Sequence, residues 1–120
     1  MTQMMSLTKY EHQVLPKFRD QLNQAESIED VKKFFVGTIQ EFLGLATEGN
    51  LAANYEDISL LPDKQPSYVL AAQVTDSDAL KSLGASDLCA VLQRMAEQAA
   101  HRYKHLTKNN LKTNLKIKHH

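Results

Sequence analysis

YEDISLLPDKQPSYVLAAQV, residues 55–74, is the stretch that decides the fold. On either side of it apolar residues recur at helical spacing; inside it they crowd and alternate at the two-residue period of strands. YEDISLL and SYVLAAQV therefore read as two strands, and PDKQP, with proline at both ends, as the five-residue loop of a hairpin. The second strand carries Tyr68, Leu70, Ala72 and Val74 on one face and Val69 and Ala71 on the other. Apolar residues on both faces imply partial cover on both, by helices on one side and by a partner around Val69 and Ala71 on the other.

Upstream, Leu7, Val14, Leu15, Phe18, Leu22 and Ala25 fall on one helical arc that Pro16 interrupts. The proline predicts a kink, or a main helix that begins near Leu15 with Pro16 in its first turn. Glu11 shares the arc. In a continuous helix it would need a partner, so a frayed or displaced first turn is the expectation. Ser27 with Asp30 predicts a capped start for a second helix, whose face carries Val31, Phe34, Phe35, Thr38, Phe42 and Leu45 and which Gly49 ends. Downstream, Thr75 or Asp76 opens a short turn that Gly84 closes. Ser86 and Asp87 then open the longest helix, with Leu88, Leu92, Met95, Ala96, Ala99, Tyr103 and Leu106 inward. Cys89 lies on the flank of that arc and reads as a small core residue. LKTNLKIK, residues 111–118, alternates strictly and follows two asparagines, which predicts a third strand.

The fold expected is α+β: an N-terminal helical pair, a small antiparallel sheet of hairpin plus C-terminal strand, and a long C-terminal helix packed on the sheet. One domain spans residues 1–120, with 1–6 and 119–120 expected to be disordered. An apolar fraction of 42% with 23% charged residues suits a globular protein. Apolar runs of only a few residues predict no membrane contact. One cysteine, with no second thiol for a disulfide or a CxxC motif, suits a reducing, cytoplasmic setting.

Charge is unevenly placed. Fourteen basic residues balance fourteen acidic ones, yet residues 101–120 hold Arg102, Lys104, Lys108, Lys112, Lys116 and Lys118 and no acid. This basic patch could meet nucleic acid, an acidic partner, or the acidic remainder of the chain. Glu97, His101 and His105 stand at four-residue spacing, which suits a metal site or the solvated side of a helix. Angles decide for solvent. His101 lies nine residues from Leu92, about half a turn away from the apolar arc, and Arg102 and Lys104 would oppose a dication. The terminal His119 and His120 have the look of a purification-tag remnant.

LGASDL, residues 83–88, resembles the serine attachment site of acyl carrier proteins over six residues, but Ser86 precedes the acid here and the helix beyond it is basic. As an N-cap, Ser86 needs no such role. The four glycines are isolated, so no phosphate loop forms. No cofactor and no catalytic set is indicated. The function expected is a small, self-associating protein-interaction or scaffold module, with binding of nucleic acid or an acidic partner as the alternative and a histidine-based metal site or enzyme third.

Overall fold

The computed structural model describes residues 6–84 and 86–118, with side chains as far as residue 108. The disorder expected at 119–120 and over most of 1–6 therefore lies outside the described residues.

Helix α1 (Thr8–Gln24) runs through Pro16, which forgoes the hydrogen bond its amide would have donated one turn back. Burial of Val14, Leu15, Phe18 and Leu22 along one face outweighs that loss. Glu11 is buried too, so the displaced first turn expected from the sequence is replaced by a continuous helix. Helix α2 (Ile28–Ala46) follows the sequence closely: Ser27 Oγ accepts from the Asp30 amide at 3.1 Å, and Gly49 turns away at φ +83°. Its inner face brings Val31, Phe35, Ile39, Phe42 and Leu43 into the core, while Phe34 and Leu45 are only half-buried.

The chain then makes a single 3-10 turn and a hairpin. Strands β1 (Ile58–Leu60) and β2 (Tyr68–Leu70) pair antiparallel, with Ile58 opposite Leu70, Ser59 opposite Val69 and Leu60 opposite Tyr68. Ile58 and Leu60 face the core; Ser59 and Val69 share the outer face. Each strand is three residues long, shorter than the alternation predicts. Asp57 supplies part of the reason: its backbone carbonyl accepts from the Ala71 amide at 2.8 Å and its carboxylate accepts from Gln73 Nε2. Those bonds turn the chain into the single-turn helix α3 (Ala72–Thr75) where a strand to Val74 was expected. A second turn, α4 (Asp78–Lys81), is capped by Ser77, whose Oγ accepts from the Leu80 amide at 3.2 Å, rather than by Thr75 or Asp76.

Helix α5 (Leu88–Lys118) is 31 residues long, about 46 Å at 1.5 Å per residue. Val91, Leu92, Met95, Ala96 and Ala99 are buried against α2, α1 and the hairpin. The α+β class holds, but its C-terminal strand does not: residues 111–118 continue α5, and the sheet has two strands. The reason is cooperativity. Extending an existing helix adds one hydrogen bond per residue, whereas a new strand would need a free sheet edge and a loop to reach it. Helical asparagines and like charges four apart cost only tenths of a kcal/mol each.

Cys89 is exposed, not a core residue. It lies beside Tyr68, whose hydroxyl is pushed up from 10.0 to about 12 by burial first and then by the hydrogen bond and charge of Cys89. A phenol whose pKa is raised on folding contributes stability that is complete below its unfolded value and lost as pH rises through the folded one. Unfolding free energy should therefore decline between pH 10 and 12, and Tyr68→Phe should flatten that part of the profile. An identical alkaline slope in wild type and Tyr68→Phe would contradict the assignment.

Candidate functional site

Helices α1 and α5 run parallel, tied at four successive levels. Asp87, just before α5, accepts from the Leu7 amide at 2.7 Å, placing a carboxylate at the positive end of α1. Arg94 grips Glu11 with two bonds, Nε to Oε2 at 3.0 Å and Nη2 to Oε1 at 2.8 Å. Arg19 donates from Nε to Gln98 Oε1 at 3.5 Å. Arg102 donates from Nη2 to the carbonyls of Asn23 and Ala25, at 3.3 and 2.9 Å. Since α1 has no basic residue in its last turn, Arg102 supplies the cation its C-terminal end lacks.

Beside this row of ties lies an open groove of about 770 Å³. Helix α1 contributes Arg19, Leu22 and Asn23 to it; α5 contributes Arg94, Gln98 and Arg102, with Glu97, His101 and His105 along the rim. Three guanidinium groups thus share one concavity, but their charges are not equally available. The Glu11 carboxylate, 4% exposed, cancels Arg94 and through hydrogen bonding raises the Arg94 pKa above its ordinary value. Arg19 and Arg102 against Glu97 leave one net positive charge. Glu97 is drawn toward the hairpin side, where it accepts from Gln93 Nε2 at 3.0 Å.

A second hollow, of about 400 Å³, adjoins the first across Glu97 and His101 and is lined by Asp63, Lys64 and Lys104. Gln93 braces it by accepting from the Ser67 amide at 2.9 Å. The exposed Lys104 and Asp63 are 4.0 Å apart, a pair worth little in water.

The residues singled out from the sequence divide among these surfaces. Glu97, His101 and His105 are exposed on the outer side of α5. Among the described residues, no group of three or more His, Cys, Asp or Glu side chains could hold a metal. Of the basic patch, Arg102 and Lys104 line the two hollows and Lys108 is exposed; the side chains of Lys112, Lys116 and Lys118 lie outside the described residues. Val69 is 48% exposed on the outer sheet face and Ala71 is half-buried. Ser86 acts as a cap: its Oγ donates to the Leu83 carbonyl and accepts from the Leu88 amide at 3.2 Å. Sequence reasoning missed Arg19, Arg94, Asn23 and Gln98. The available signal was Glu11, a carboxylate on an apolar arc that required a cation from elsewhere.

Compared with known proteins, the chain matches no family model, no curated relative and no solved structure. No helix among the described residues is long and apolar enough to cross a membrane.

Proposed function

We propose that the chain is a small interaction module that receives an acidic segment of a partner protein in the groove between α1 and α5. The observation that carries this reading is the convergence of Arg19 and Arg102, from two different helices, on one open concavity with a single carboxylate on its rim. Guanidinium forks suit carboxylates, and the molecule already uses one in that way, since Arg94 holds Glu11 through two parallel bonds. Beyond the groove α5 continues, with Lys104 and Lys108 exposed one turn apart along it. A partner segment leaving the groove along α5 would meet those two lysines.

Two other readings fit less well. Nucleic-acid recognition favours aromatic platforms for unstacked bases, and no Phe, Tyr or Trp lines the groove. Self-association through the outer sheet face has little apolar surface to use, because Tyr55 and Val69 are the exposed large hydrophobic residues among those described.

A fluorescently labelled hexaglutamate peptide, titrated by anisotropy, tests the reading. Binding should weaken about tenfold as salt rises from about 50 to about 300 mM, since exposed charges are screened over that range. A hexaserine control should not bind. Equal affinity for the neutral peptide, or tighter binding of a single-stranded oligonucleotide, would overturn the proposal. Light scattering on the same samples shows whether the chain associates with itself instead.

A further inference from the structure

We infer that the α1–α5 groove holds a specific site for a compact, doubly charged oxyanion group, with Arg19 and Arg102 as its cations and His101 as a hydrogen-bonding neighbour. The inference deepens the acidic-partner reading by assigning the seat of the ligand's charge. The shared chemistry is a dianion, either a free one or a pair of acidic side chains on a protein.

Three features of the groove carry it. First, the two cations differ in how they are held. Arg102 is fixed by the carbonyls of Asn23 and Ala25, so its position is set before any ligand arrives. Its Nε is buried and has no hydrogen-bond acceptor among the described residues. Arg19 is exposed, and the 3.5 Å contact to Gln98 is the hydrogen bond it makes among the described residues. Most of its donors can turn toward a ligand at little cost.

Second, neither cation is held by a carboxylate among the described residues. The buried Glu11 is locked to Arg94, and Glu97, which keeps its charge, accepts from the Gln93 amide. An incoming anion therefore meets two guanidinium groups without first displacing a carboxylate from either. Third, the surroundings can hydrogen-bond. Asn23 and Gln98 offer amide groups and His101 an imidazole, while Leu22 supplies an apolar contact. A volume of about 770 Å³ is larger than one oxyanion needs, and leaves room for the rest of a peptide or small acid.

Sulfate is the probe, because it stays doubly charged at neutral pH and carries no side chain. Titrated into the isotope-labelled full chain, sulfate should give saturable NMR shifts at Arg19, His101 and Arg102. Arg19→Gln should weaken that binding about tenfold, the usual scale for losing one charged hydrogen-bonding partner. Because Arg19 is exposed, the variant should keep its fold, and an unchanged far-ultraviolet spectrum verifies this. Val69→Ser, on the outer sheet face, should leave sulfate binding unaltered. Shifts that rise without saturating, or equal affinity in wild type and Arg19→Gln, would mark an adventitious ion only and overturn the site.

Competition separates this inference from the reading it rests on. If sulfate displaces labelled hexaglutamate, both stand. If the peptide binds and sulfate neither binds nor competes, the oxyanion site is wrong and the acidic-partner reading survives. If sulfate saturates the groove and the peptide does not bind, the site stands with a free small anion as its ligand, and the protein-partner reading fails.

Discussion

Replacing Phe42 by alanine is expected to lower the unfolding free energy by about 4 kcal/mol, the middle of the range for emptying a buried phenyl site. Phe42 is fully buried on α2, within the same core cluster as Phe18 of α1 and Leu92 of α5. The loss therefore falls on the core to which all three long helices contribute. With total stability of about 5 to 15 kcal/mol for native proteins in general, the variant retains little margin at elevated temperature. Phe34, on the same helix but only half-buried, provides the comparison. Its alanine variant should cost about 1 to 2 kcal/mol, because less apolar surface is returned to water. Urea denaturation of both checks the pair. Equal losses would mean that α2 is rotated from the orientation described.

The second large effect concerns a polar contact. Arg94→Ala should cost about 3 kcal/mol, because it strands the Glu11 carboxylate in a site where only 4% of that residue is exposed. The Arg94 side chain is 48% exposed, so water can partly replace it, which places the loss at the lower end for buried pairs. Removing both charges tells the loss of attraction from the cost of isolation. Glu11→Leu combined with Arg94→Met should recover most of the stability, since a matched apolar pair no longer requires a charge to be desolvated. A loss below 0.5 kcal/mol for Arg94→Ala, the ordinary range for a surface position, would show that the bidentate pair does not persist in solution.

Where the sequence was legible, the information was local. Ser27 caps the amides that follow it and Gly49 shares the left-handed turn with Glu48 before it, so the start of α2 and the neighbourhood of its end could be read from a few residues. The apolar arc of α5 from Leu88 to Leu106 was equally readable, because 3.6-residue periodicity is a property of one segment. Residues 111–118 misled for the opposite reason. Their alternation satisfies a strand, but Leu111 and Leu115 also stand four apart, and the choice depended on whether a helix was already propagating into them. Pro16 misled because its local penalty is visible in sequence while the burial of Leu15 and Phe18 that offsets it is not.

The groove was the least legible feature. Arg19 and Arg94 are 75 residues apart in sequence, and neither belongs to a motif. They share a surface because α1 and α5 pack in parallel at a particular level, which the pairs Leu7 with Asp87 and Glu11 with Arg94 establish. Charge counting found Arg102 and Lys104 but assigned them to a basic tail, whereas Arg102 closes the C-terminal end of α1. The histidine pair was placed correctly with respect to rotation, on the outer side of α5, without any hint that the rim of a cationic groove ran along it.

Chemical-shift mapping with hexaglutamate tests the central claim most directly, because it reports where on the full chain an acidic segment sits. The expected result is a set of saturable changes at Arg19, Asn23, Gln98, His101 and Arg102, with Val69 and Tyr55 unmoved. Changes centred on the outer sheet face around Val69, with Arg19 and Arg102 silent, would contradict it.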